Sequence, residues 1–252
     1  MAEVPGLPAG AAGPAGPSGH GADHVLDDVA WHALSGPQAH LALAAGGGVA
    51  RRYPEDVGPF VGVERLDTAG WTALAELVGI GGVAVFLRGE VGPAPAGWTE
   101  LLREPATQYV AGPEVSVDRG GRGEVVELGA ADSPDMVRLT AETEPGPFGP
   151  RSHLTGRWFG IRREGRLVAM AGERMRVDGF GEVSGVCVDP SVRGEGLGAV
   201  VTSAAADAIR ERGDRPMLHV REGNAGAHRL YRRLGFEVRR EVVVAILRFD
   251  GV

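Results

Sequence analysis

The stretch VSGVCVDPSVRGEGLGA, residues 183–199, combines residue types and spacings that could do chemistry. An apolar run ends at Asp189-Pro190, glycines follow at Gly194, Gly196 and Gly198, and a helical pattern begins at Ala199. Glycine lets a ligand approach the backbone closely, and the free N–H groups of a helix N-terminus attract anions. The order therefore reads as a site for a diphosphate. Spacing separates the glycine-rich sites that share this physics. A dinucleotide fingerprint needs G-x-G-x-x-G, whereas these glycines run G-x-G-x-G. A P-loop ends in Gly-Lys-Ser/Thr, and this chain has no lysine: its 26 basic residues are all arginine. The pattern that does fit is R-x-x-G-x-G, made by Arg193, Gly196 and Gly198.

A second motif lies downstream: Asn224-x-x-Ala227-x-x-Leu230-Tyr231-x-x-x-Gly235-Phe236. With the two motifs in this order, separated by one helix and one strand, residues 124–250 resemble the GNAT N-acetyltransferase superfamily. The loop TEPGPF (143–148), the strand EVSGVCV and the layout of the chain look most like the branch resembling the C-terminal domain of glycine N-acyltransferases. The resemblance implies an α/β (α+β) GNAT fold, with a mixed, mostly antiparallel central sheet flanked by helices and an N-terminal degenerate α/β half-domain. It implies acetyl-CoA as acyl donor, no metal, and direct transfer to a small amine or peptide N-terminus in a ternary complex. Val186, Cys187 and Val188 would offer strand backbone to pantetheine, beside a splayed neighbouring strand. Backbone N–H groups of Arg193, Gly194, Glu195, Gly196, Leu197, Gly198 and Ala199 would hold the diphosphate. Asn224 would contact the pantetheine arm or cap its helix, and Tyr231 would sit near the thioester sulfur.

Attack of an amine on a thioester needs a neutral amine, a donor for the developing oxyanion and a proton for the leaving thiolate. The resemblance implies Tyr231 as the acid and Glu182, six residues before Val188 on the same strand, as the base. Glu173 and Glu144 are rival carboxylates. Tyr231 also falls on the apolar stripe of Ala227, Leu230 and Leu234, so packing alone would explain it. Cys187 reads as a small buried hydrophobe rather than a nucleophile. His219 reads as a core histidine, His228 as helix surface, His153 as part of the acceptor loop, and the tryptophans as core or interface residues. A non-catalytic acyl-CoA-binding module is the alternative from a different class, and a nucleotide-binding protein is a third.

These residues need elements to hold them. Strands are expected at 124–128, 157–163, 166–177, 180–188, 217–221 and 242–249, and helices at 133–143, 199–212 and 224–234. In the first half, Trp71, Leu74, Ala75 and Val78 share one helix face over 68–78, Val83–Leu87 reads as a buried strand, and 97–104 as one or two helical turns. Residues 1–23, almost all Pro, Gly, Ala and Ser, read as a disordered tail. Residues 24–113 read as an N-terminal α/β domain, 112–123 as a linker or hairpin, and 124–250 as the catalytic domain. The net charge of −7 lacks the footprint of a nucleic-acid binder, and one cysteine excludes an internal disulfide or a Cys-rich zinc site. No apolar run reaches the ~20 residues needed to span a bilayer, so a cytoplasmic protein is expected.

Overall fold

The computed structural model describes residues 24–112 and 124–251; the expected tail and most of the expected linker lie outside them. Five α-helices occur among the described residues: α1 (Val29–Ser35), α2 (Thr68–Val78), α3 (Ser133–Thr143), α4 (Leu197–Glu211) and α5 (Ala225–Arg233). The strands are β1 (Leu43–Ala45), β2 (Ala50–Arg52), β3 (Val61–Val63), β4 (Val83–Arg88), β5 (Trp98–Ala111), β6 (Val125–Leu128), β7 (Trp158–Arg163), β8 (Arg166–Val177), β9 (Phe180–Val188), β10 (Arg215–Arg221) and β11 (Phe236–Phe249). β1–β3 form a small antiparallel sheet. The other eight form one sheet in the order β4-β11-β5-β10-β9-β8-β7-β6. Only β9 and β10 pair in parallel; every other neighbouring pair is antiparallel. The sheet runs without a break through strands from both halves of the chain.

Local chemistry explains most boundaries. Asp67 caps α2 by accepting from the Gly70 N–H, and Gly79, at φ 69°, ends it. Pro134 stands in the first turn of α3, where a missing N–H costs nothing. Glu164 and Gly165, both at positive φ, make the tight turn between β7 and β8. Residues 98–104 are strand, not helix. Their Glu-Leu-Leu-Arg run favours a helix, but the segment instead pairs with β11 from Trp98↔Phe249 to Glu104↔Val244, with one irregularity at Leu101. Tertiary pairing outweighs a weak local preference here.

Apolar residues of α4 and α5 pack on one face of the sheet, including Val201, Ala205, Ile209 and Tyr231. On the opposite face α1 covers Val85, Val110 and Met175, while Met136 and Leu139 of α3 pack on Trp158, Met170 and Cys187. The Trp158 ring decides the shape of this region. It is 1% exposed, and a Cβ on Gly172 would stand 2.2 Å from its Cδ2; one on Gly185 would stand 2.5 Å from its Cζ3. Both glycines are thus required by the ring. Gly172→Ala should overpack the core and cost about 1–3 kcal/mol. Urea unfolding that showed no loss would mean the ring can move aside.

Candidate active site

The register of β8 and β9 changes at Gly185. Met170 faces Cys187 and Gly172 faces Ser184, so β9 carries one residue more than its partner. This is a β-bulge; Gly185 adopts φ 61°, and such a bulge bends its strand. The bend has two consequences. Glu182 and Cys187, an odd number of residues apart, both point away from α4. In addition, β9 and β10 pair only at Arg215↔Phe180, Pro216↔Gly181 and Met217↔Glu182, after which no pairing continues. β10 stays paired with β5 as far as Arg221. A wedge therefore opens between two parallel strands in mid-sheet, and Ser184, Gly185, Val186 and Val188 on its β9 side are half-buried.

The glycine-rich loop follows the wedge. Asp189 fixes its start: its side chain accepts from the Ser191 N–H and hydroxyl at 3.0 and 2.7 Å, which, with Arg166, holds the carboxyl down at about 2. Gly194 and Gly196 adopt φ 86° and 81°, and Gly196 is the N-cap of α4. The helix thus begins at Leu197, two residues before the expected start, and its first-turn N–H groups follow directly on the loop. Arg193 is exposed and its Nε donates to the Val188 carbonyl at 3.4 Å. Glu195 pairs with Arg163. Asn224 caps α5, its Oδ1 accepting from the Ala227 N–H at 3.0 Å.

Tyr231 is buried and packs edge-on against Phe236, and its hydroxyl has no partner among the described residues. Burial, with the nearby Cys187, pushes its phenol well above the usual range, so it keeps its proton at neutral pH. Cys187 is likewise buried and its thiol is pushed up to about 12, chiefly by burial, which leaves it a poor nucleophile. His228 is not free helix surface: its Nδ1 lies 2.8 Å from the Tyr109 hydroxyl.

Glu182 is 1% exposed and sits inside a buried network. Arg174 donates to both its oxygens at 2.9 and 2.6 Å, and His219 Nδ1 lies 2.7 Å from Oε1. The far nitrogen of His219 is 2.8 Å from Gln108 Nε2, which also donates to the Leu26 carbonyl. Gln108 Oε1 accepts from Arg239 at 2.7 Å. Burial opposes ionisation of Glu182, but Arg174 and His219 outweigh it and hold the carboxyl at about 2. Such a carboxylate is a weak base at neutral pH. Glu173 faces the other side, paired with Arg212, and burial raises its carboxyl. Glu144 is an exposed C-cap residue of α3.

Beside the bulge, a narrow cleft that opens to solvent is walled by Tyr53, Phe60, Pro147, Phe148, Trp158 and Arg174. Neither His153 nor any carboxylate lines it; Arg174 is its one charged lining residue. Sequence reasoning missed Tyr53, Phe60 and Arg174. Both halves of the chain build this cavity: Gln38 Nε2 donates to the carbonyls of Thr155 and Arg174 at 2.7 and 3.0 Å, and Ser152 donates to the Val57 carbonyl.

A solved GNAT-family protein from Novosphingobium aromaticivorans is 38% identical to this chain, covers 91% of it and 100% of its own length, and superposes with a TM-score of 0.82. The chain belongs to the GNAT acetyltransferase family. The family described as FR47-like protein matches residues 158–244. A GCN5-related N-acetyltransferase from Kribbella flavida is 25% identical, with 89% of this chain and 97% of that one covered and a TM-score of 0.57. A mycothiol acetyltransferase from Thermomonospora curvata is 35% identical over 144 residues, 49% of this chain. That match spans 46% of the relative's length, so the chain accounts for less than half of it. No helix among the described residues is long and apolar enough to cross a membrane, and they hold no group of three or more His, Cys, Asp or Glu able to bind a metal.

Glu182→Gln should weaken both the Arg174 and the His219 contact and destabilise the fold by roughly 3 kcal/mol, as broken buried ion pairs do. The sign with pH follows from the depressed carboxyl. Its contribution is complete above the ordinary value of 4.5 and is lost as pH falls through about 2. Wild-type stability should therefore fall more steeply than the variant's between pH 5 and pH 2 in denaturant titrations; parallel curves would remove the ion pair from the account.

Proposed function

We propose that this GNAT-family chain transfers an acetyl group from acetyl-CoA to a small amine, in a ternary complex and without an acyl-enzyme. The observation that carries the reading is the wedge between β9 and β10, with the N-terminus of α4 following it. The residues fit a pantetheine diphosphate: strand backbone at Val186, Cys187 and Val188 flanks the wedge. The glycine loop from Arg193 to Ala199 presents N–H groups and an exposed guanidinium to an anion. Acetyl-CoA, when bound, supplies the acyl thioester.

The chain's own groups then have distinct tasks. Tyr231 holds a proton on an unpartnered hydroxyl near Cys187, which suits delivery to a leaving thiolate of pKa ~8.5. A strand N–H near Val186 would donate to the thioester oxygen. Glu182 serves as a positioning residue: it fixes Arg174 in the cavity wall and leaves deprotonation of the amine to solvent. A cytoplasmic setting and kinship with the glycine N-acyltransferase branch belong to the same proposal, the latter resting on the TEPGPF loop. The lack of a base among the cavity-lining residues favours a second reading, a non-catalytic acyl-CoA-binding module.

Two variants separate binding from turnover. Gly196→Val forces a β-branched residue to φ 81°, at a cost of about 1–2 kcal/mol, and puts a side chain where the diphosphate would lie. CoA affinity measured by calorimetry should drop. Tyr231→Phe should leave that affinity nearly unchanged and lower turnover about 10²-fold, the usual worth of general-acid help. Equal turnover with chemistry rate-limiting would reduce Tyr231 to a packing residue, and CoA binding without turnover of any amine would favour the module.

A further inference from the structure

The wedge between β9 and β10 begins at a definite point. The last backbone pair is Met217↔Glu182, and His219 is the next residue of β10 on the same side of the sheet. Had pairing continued in register, Ser184 would stand opposite it. The His219 ring instead leans back to Glu182, with Nδ1 2.7 Å from Oε1. A side-chain contact thus crosses the two strands just past the place where their backbones part. Both side chains are sealed, His219 at 5% and Glu182 at 1% exposure, so water competes little for the contact.

The far side of His219 tells which nitrogen carries the proton. The Gln108 amide can be oriented only one way. Its Oε1 accepts from Arg239, which can only donate, and its Nε2 donates to the Leu26 carbonyl, which can only accept. The same Nε2 faces His219 Nε2 at 2.8 Å. Two donors cannot share that contact, so His219 Nε2 is bare and accepts. The proton of the neutral ring is then on Nδ1, where it donates to Glu182. The sheet holds both partners in place. Gln108 is the cross-strand neighbour of His219 in β5. Arg239 is the extra residue that β11 carries between Val238↔Tyr109 and Arg240↔Gln108, and it pairs with Asp27 at 2.8 Å. One arrangement of protons satisfies all of these contacts.

Resting on the acetyl-transfer reading above, we propose that His219 is a positioning residue: held by Gln108 as the neutral Nδ1–H tautomer, it clasps β10 to Glu182 and so fixes the point from which the wedge opens. The inner end of the wedge limits how far a pantetheine arm can enter. That depth sets where the thioester stands relative to the strand N–H groups near Val186 and the Tyr231 hydroxyl. The loop at 193–199, which holds the diphosphate in that reading, lies at the open end of the wedge, away from the clasp. Loss of the clasp should therefore lower kcat and leave the KM for acetyl-CoA almost unchanged, since misplaced reacting groups slow a reaction without releasing the ligand.

Two variants and one spectrum test this. The side-chain nitrogen of Asn stands about where His Nδ1 does, so His219→Asn can still donate to Glu182; His219→Leu cannot. Histidine-selective nitrogen NMR of the wild type at neutral pH should show His219, identified by the signal missing from His219→Asn, as neutral with its proton on Nδ1. A proton on Nε2, or on both nitrogens, overturns the proposal. Without CoA, amides 182–184 and 217–219 should exchange roughly tenfold faster in His219→Leu than in wild type, the worth of one hydrogen bond to a charged group. Exchange in His219→Asn should stay closer to wild type. Thiol release from acetyl-CoA is followed with whichever of benzylamine, leucinamide, ethanolamine and spermidine the wild type uses best. There kcat should fall about tenfold in His219→Leu and be largely restored in His219→Asn, with the KM for acetyl-CoA held within about twofold. Equal loss in both variants, or a KM that rises as kcat falls, overturns the positioning role and leaves acetyl transfer standing. Wild type that releases no thiol with any amine removes the acetyl-transfer reading, and the tautomer and exchange results then decide the clasp. Should His219→Leu fail to fold, the wild-type tautomer decides.

Discussion

Trp158 occupies space under β8 and β9 that neither Gly172 nor Gly185 could share with a side chain. The ring, the bulge at Gly185 and the end of pairing between β9 and β10 belong to one packing solution. A close-packed interior resists small changes of volume, so this arrangement cannot relax by degrees. With the bulge in place, β9 turns away from β10 after Glu182, and the backbone of Ser184–Val188 meets a gap where a central strand would find a partner. Buried backbone polar groups need partners, so such a gap in mid-sheet calls for water or a ligand. The loop from Asp189 to Gly196 then delivers the N-terminus of α4 to the same region.

The polar network around Glu182 is the counterpart of that packing on the side of α1. It runs from Arg174 through Glu182, His219 and Gln108 to Arg239, across β8, β9, β10, β5 and β11. Because these strands come from both halves of the chain, the network ties the first half to the second at the level of the site. Gln38 and Ser152 extend the connection to the loop over the cavity. A half-satisfied buried network would be costlier than an apolar core, which is why these side chains serve position better than proton transfer.

Much of this was legible in the sequence. The spacing of Arg193, Gly196 and Gly198 locates the loop, and the helical pattern expected over 199–212 locates α4 behind it. Strand β9 was bounded correctly because its apolar run is closed by Gly179 and Pro190. The long strand β5 was not legible, since its Glu-Leu-Leu-Arg run takes its conformation from β11, more than a hundred residues away. The state of Glu182 was not legible either. A carboxylate on a strand adjoining a cleft looks like a base until Arg174 and His219 are seen to use its lone pairs. Only the β8 register shows the bulge that brings Glu182 and Cys187, an odd number of residues apart, to the same side of the sheet.

Hydrogen–deuterium exchange with and without CoA bears most directly on whether the wedge is the cofactor slot. The account predicts slower exchange on binding at the amides of residues 185–188 and 194–199, with β6 and β7 at the sheet edge unchanged. Protection confined to other segments, with the 185–188 amides exchanging as fast in the complex as in the free protein, would contradict it.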